Sequence, residues 1–130
     1  MEQEDKELLI KDLCARLPYG VKCIVTKSRT EEGQKGDVGK ITCICLEGVD
    51  CIGDKPFFSG FGNFKPYLFP LSSMTEEQYE YFTQDLHAYI TFNGVVGTQI
   101  ALDWLNKNNF DYRGLIPMGL AIDATNLNIY

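Results

Sequence analysis

The sequence predicts an α+β fold: an N-terminal helix, a small bent antiparallel sheet of SH3-like or Sm-like partial-barrel type, then two helices and a packed irregular tail. Two observations carry this. Short strand-like runs come first and helical runs follow, which is the order of a segregated α+β domain. No helical segment lies between the runs at 21–26 and 41–46, so these strands have no crossover and pair antiparallel.

Each element has its own signal. Residues 4–17 are helical, because Leu9, Ile10, Leu13, Cys14 and Leu17 fall on one stripe while Lys6, Lys11 and Asp12 lie largely outside it. Pro18 stops the helix and Tyr19-Gly20 turns the chain. In the strand at 21–26, Val21, Cys23 and Val25 share a face. Residues 27–39 are polar, carry three glycines and read as a loop. A second strand occupies 41–46, Glu47-Gly48-Val49-Asp50 is a turn, and Cys51-Ile52 starts a short third strand. Residues 53–66 set four phenylalanines among glycines and polar breakers, and Gly60 and Gly62 argue against a regular strand there. A last strand at 67–71 is held to an edge by Pro66 and Pro70.

Thr75 opens the helical part with a capping box to Gln78, a Met74–Tyr79 staple, and Glu76 and Glu77 in the first turn. Tyr79, Phe82, Leu86 and Tyr89 or Ile90 follow at helical spacing up to the Asn93-Gly94 turn. A third helix spans about 98–107, with Ile100, Ala101, Trp104 and Leu105 inward. Gly114, Pro117 and Gly119 keep the apolar tail from forming one long helix. The expected core is Leu9, Leu13, Leu17, Val25, Ile41, Phe82, Leu86, Ile100, Trp104 and Leu105. A chain of 130 residues with 45% hydrophobic content is expected to form one domain over 1–130, with helix 1–18, sheet part 19–71 and helical part 72–130.

Charge is uneven. Residues 1–65 hold 11 acids and 10 bases, and residues 66–130 hold 7 acids and 2 bases, so the net charge of −6 lies mostly in the second half. An acidic surface is repelled by phosphate backbones, so general nucleic-acid binding is not expected. The start, Met-Glu-Gln-Glu-Asp-Lys, has no signal-peptide hydrophobic region, and no run approaches the ~20 apolar residues that span a membrane. With the odd cysteine count of five, this predicts a cytoplasmic protein with free thiols.

No catalytic or cofactor motif stands out, and no cofactor or metal is expected. Cys43, Cys45 and Cys51 match zinc-ligand spacing poorly and read as buried reduced thiols. Phe57, Phe58, Phe61 and Phe64, bracketed by Lys55 and Lys65, are the expected ligand- or partner-binding segment. Four such rings are more apolar surface than a loop usually leaves in water. An alternative site is enzymatic: His87 as a general base, with Asp111 and Arg113 brought near it by folding. The bland reading of Asp111 and Arg113 is a local salt bridge and cap that fixes the tail.

Three blocks carry a resemblance. They are Asp12-Leu13-Cys14-Ala15-Arg16-Leu17-Pro18-Tyr19-Gly20-Val21-Lys22, Lys65-Pro66-Tyr67-Leu68-Phe69-Pro70-Leu71-Ser72-Ser73-Met74-Thr75-Glu76-Glu77, and Asp103-Trp104-Leu105-Asn106-Lys107-Asn108-Asn109-Phe110-Asp111-Tyr112-Arg113-Gly114-Leu115-Ile116. Together they resemble a family of small uncharacterised proteins of anaerobic gut bacteria and their phages or prophages. The resemblance implies a bacterial cytosol and a mobile-element origin, and brings no activity, cofactor or catalytic residue. The expected function is non-catalytic binding of a protein partner, of a second copy, or of a small ligand. For a phage-linked protein this means modulating a host protein or sequestering a ligand. The alternative function is a small enzyme acting on a nucleotide-like anion.

Overall fold

The computed structural model describes residues 1–28 and 33–130. The helix α1 (Gln3–Arg16) opens the chain. Its last turn closes on the Arg16 carbonyl, which accepts from the N–H groups of Tyr19 and Gly20, with Gly20 at φ +95°. This left-handed glycine lets the chain reverse directly into the sheet.

Five strands follow: β1 (Lys22–Val25), β2 (Val38–Ile44), β3 (Gly48–Ile52), β4 (Pro56–Gly60) and β5 (Phe64–Pro70). They pair antiparallel in the order β4-β3-β2-β1-β5. β4 and β5 lie at opposite ends of this order, yet only residues 61–63 join them. A flat five-strand sheet would set them ~19 Å apart, and a connection this short reaches at most ~14 Å. The sheet therefore curls until its ends approach, which is the bent partial barrel the sequence predicts. A bulge between Ile41 and Cys43 adds local bend.

The expected loop at 27–39 falls partly on residues 29–32, which lie outside the described residues. β2 already begins at Val38. The expectation that 53–66 holds no regular strand is corrected, because β4 is one. Its glycine partners explain how. Phe57 lies against Gly33 and Gly39, and the Phe58 ring lies on Gly48 across the β3–β4 pair. A Cβ at Gly48 would meet the Ser59 carbonyl and stand 2.7 Å from Phe58 Cζ. Gly48→Ala should therefore cost about 2–3 kcal/mol by overpacking against backbone that cannot yield. Urea unfolding measures this, and a change under ~0.5 kcal/mol would show that the ring does not sit there.

After a 3-10 turn (Leu71–Ser73) comes α2 (Glu76–Glu80). The capping box is present: Gln78 N–H donates to Thr75 Oγ1 at 3.1 Å, and Thr75 N–H donates to Gln78 Oε1 at 2.9 Å. The helix does not run on to Asn93 as expected. It widens into a π turn (Tyr81–Asp85), where Thr83 Oγ1 donates back to the Tyr79 carbonyl, and His87 leaves it at φ +53°. The left-handed residue turns the chain into a hairpin, β6 (Tyr89–Thr91) and β7 (Gly94–Val96). Phe92 and Asn93 make the turn between the paired Thr91 and Gly94, with Gly94 at φ +115° and Thr91 Oγ1 donating to the Gly94 carbonyl.

The helix α3 (Gln99–Lys107) is followed by β8 (Phe110–Asp111) and β9 (Ile122–Asp123). Both short strands pair parallel to β5. The sheet is thus mixed rather than purely antiparallel. The α2–hairpin–α3 excursion is long enough to return the chain to β5 in the same direction.

Two cores result. One joins α1 to the barrel and tail through Leu9, Leu13, Val21, Ile41, Phe64, Leu68 and Leu115. The other gathers Phe82, Ala88, Ala101, Leu105 and Phe110, with Trp104 packed against it. Ile100 is exposed at 69%, not buried, while Leu17, Leu86 and Trp104 are half-buried. The Trp104 ring still contacts Tyr81, Phe82 and Phe110 at 5.6, 6.0 and 5.7 Å between centroids.

A buried ion cluster ties α1 to the tail. Asp12, placed outside the apolar stripe by the sequence reading, is 0% exposed. It receives Arg16 Nε at 2.8 Å and a second Arg16 nitrogen at 3.0 Å, and Arg113 Nη1 at 2.9 Å. Arg16 also donates to the Phe110 carbonyl at 2.7 Å, and both guanidinium groups lie over the Tyr112 ring.

Candidate interaction surface

Phe64 is 1% exposed and contacts Phe61 at 5.6 Å between ring centroids. Phe57 and Phe61 pack against the barrel core, and Phe58 is half-buried over Gly48. Glycine seats and the curled sheet therefore bury Phe64 and cover Phe57, Phe58 and Phe61 in part. Lys55 is exposed in the β3–β4 turn, while Lys65 is half-buried on β5 opposite Ile24. Lys55 thus precedes β4 and Lys65 lies within β5, so a strand separates them rather than one loop.

His87, Asp111 and Arg113 serve separate structural tasks. His87 is exposed at the end of the π turn, and no hydrogen bond or ion pair joins it to Asp111 or Arg113. The Asp111 carboxylate accepts from the N–H groups of Leu115 and Ile116 at 2.8 and 2.9 Å, which is the cap expected for the tail. Arg113 pairs with Asp12, 101 residues away, rather than locally with Asp111.

The thiols divide differently from the expectation. Cys14, Cys43 and Cys45 are exposed, and only Cys23 and Cys51 are buried. The β2 bulge shifts Cys43 out of the inward alternation, and Cys45 lies past the strand end. Among the described residues no group of three or more His, Cys, Asp or Glu could hold a metal. Among the described residues no helix is long and apolar enough to cross a membrane.

Cys23 and Cys51 Sγ stand 3.4 Å apart. The hydrogen bond to Cys51, together with burial, pushes the Cys23 thiol up. Burial also pushes up the hydroxyl of Tyr130, which accepts from Lys22 N–H and donates to the Tyr67 carbonyl. Groups raised in the fold keep protons that the unfolded chain releases. Their stabilisation is full below the ordinary thiol value of 9.0 and is lost as pH rises through the folded values. Urea midpoints should therefore hold steady to about pH 8 and fall above it. Cys23→Ala should remove part of that slope, and an unchanged slope would refute the assignment.

Beside scattered exposed residues such as Leu46 and Ile52, exposed apolar side chains gather at 89–96, whose first part the sequence reading made helical. Phe92 at the hairpin tip is fully exposed. Tyr89 and Val96, directly paired across the hairpin, are exposed at 54% and 45%. Their neighbours Ile90 and Val95 form the opposite face, where Val95 packs on the second core. Gly97 seats the hairpin, because a Cβ there would come within 2.9 Å of Ala88 Cβ and 3.1 Å of Ala101 Cβ. Beside the hairpin lies an open groove of about 490 Å³, lined mainly by Leu71, Met74, Tyr79 and Ile90. Tyr89-Ile90-Thr91-Phe92, Asn93-Gly94 and Val95-Val96 are a hairpin signal in the sequence. The helical spacing of Phe82, Leu86 and Tyr89 masked it.

A second cleft, about 430 Å³, is lined by residues that include Tyr19, Phe69, Lys107, Asn109 and Tyr130. Asn109 donates from Nδ2 to the Gly20 carbonyl at 3.2 Å, and its buried Oδ1 has no partner.

Comparison with protein-family models, curated proteins and solved structures finds no match for this chain.

Proposed function

We propose that this protein is a non-catalytic interaction protein that engages a macromolecular partner through the hairpin at 89–96 and the groove beside it. The observation that carries the reading is the hairpin itself. It is packed on one face, yet holds Tyr89, Val96 and a fully exposed Phe92 in water. Aromatic side chains concentrate binding energy at interface centres, and exposed apolar residues gathered on one short element, unlike single scattered ones, mark interaction sites. The resemblance to small gut-bacterial and phage proteins suits a bacterial cytoplasmic setting and a role in modulating a host protein. The described cysteines are all free, which suits a reducing compartment. The enzymatic alternative has less support, since His87, Asp111 and Arg113 make no common constellation.

The test places a photo-crosslinking residue at Phe92, and at the also exposed Leu46 between β2 and β3, in a bacterial host. A discrete adduct from position 92, absent from position 46 and lost with Tyr89→Ser, supports the reading. Its mass separates a second copy from another protein. Position 92 giving no adduct, or the same adducts as position 46, would refute it.

A further inference from the structure

Resting on that reading, we infer that the groove beside the hairpin takes a cationic amphipathic segment of a partner protein: a few apolar side chains bracketed by lysine or arginine. The floor of the groove asks for the apolar part. Leu71, Met74, Tyr79 and Ile90 line it, and Tyr79 and Ile90 are exposed at 52% and 41%.

The surroundings ask for the positive charge. From Pro66 to Asn106 the chain has no lysine or arginine, and it carries Glu76, Glu77, Glu80, Asp85 and Asp103. Glu76 is itself a wall of the groove. Glu76, Glu77, Glu80 and Asp85 are exposed, and none of the five has an ion-pair partner among the described residues. Lys107, which shares a cleft with Gln78, and the start of α2 offset part of this charge, but the acids outnumber the bases here, and within about 8 Å of the surface their field attracts cations at physiological salt.

The same charges disfavour other occupants. A second copy meeting this face with its own would oppose carboxylates to carboxylates. Anionic lipid headgroups and nucleic-acid phosphates are repelled for the same reason. A helix or strand with an apolar stripe and flanking basic residues satisfies floor and rim together.

The probe is a synthetic amphipathic peptide of leucine and lysine, set against the same peptide with glutamine for lysine, titrated by fluorescence anisotropy. The basic peptide should bind and should weaken about tenfold from low to high salt. Tyr79→Ser with Ile90→Ser should abolish binding, and Glu76→Gln with Glu80→Gln should flatten the salt dependence. Thr75 and Gln78 are untouched in both variants, so the helix start survives, and circular dichroism checks it. The inference is overturned by no binding of the basic peptide, by equal binding of the neutral one, or by binding that ignores the Tyr79/Ile90 change. Dimerisation through this face in sedimentation, or binding to anionic vesicles, overturns it too. If the peptide fails while position 92 still gives its crosslink, the partner class is wrong and the interaction surface stands. If position 92 gives no crosslink, the surface itself is wrong.

Discussion

Asp12→Ala should destabilise the protein by about 3–5 kcal/mol, because it leaves the fully buried Arg16 without its counter-charge. The single substitution removes both contacts from Arg16 and the contact from Arg113. One Arg16 nitrogen, Nη1, already lacks a partner, so the guanidinium has no reserve of acceptors to turn to. Arg113 is partly exposed and can reach water, so most of the cost falls on Arg16. The double change Asp12→Leu with Arg16→Met should recover much of the loss, since matched apolar residues remove both charges together. Chemical denaturation of the three proteins decides it. If Asp12→Ala costs under ~1 kcal/mol, the cluster is not buried as described. If the double variant is no better than the single, packing rather than charge is the cause.

Phe64→Ala should cost about 3–5 kcal/mol, whereas Phe92→Ser should change stability by less than ~0.5 kcal/mol. Both are phenylalanines in glycine-containing segments, and composition does not separate them. Phe64 opens β5 with its ring against Phe61 and the barrel core, so truncation leaves a cavity the curled sheet cannot close. Phe92 has no such cover. Thermal melts read the difference directly, at roughly 4 °C per kcal/mol for a chain of this size. Equal melting temperatures for the two variants would overturn the assignment of core and surface. Partner binding should show the reverse order, kept in a folded Phe64→Leu variant and lost in Phe92→Ser.

The candidate site was less legible in the sequence than the fold. In the segment at 57–64 four phenylalanines stand among glycines, and glycine inside a strand weakens it. In the fold the glycines that matter most lie outside that segment: Gly33 before β2 and Gly39 in it, under Phe57, and Gly48 on β3, under Phe58. A flat ring on a bare backbone is a packing unit formed by residues up to 24 positions apart, and no local pattern announces it. The hairpin at 89–96 was legible by its Asn93-Gly94 turn, but Phe82, Leu86 and Tyr89 also fit a helix. Local spacing alone does not choose between the two. The π turn and the left-handed His87 do, and they follow from seating Ala88 and Gly97 against α3.

By itself the sequence determined the features that depend on near neighbours. These include the capping box at Thr75, the stop after α1, the antiparallel pairing of strands with no crossover between them, the cap of Asp111 on the tail, and the crowding of acids without bases in the second half. Each rests on hydrogen bonds or sterics within a few residues, or on charge counted along the chain. Only the tertiary structure decided which rings are covered, that Asp12 is buried between Arg16 and Arg113, and that the tail returns to β5 in parallel. Those outcomes depend on contacts between residues tens of positions apart. A carboxylate on a helix reads as solvated until the fold brings a second guanidinium to it, and a phenylalanine reads as exposed until a distant glycine is laid beneath it.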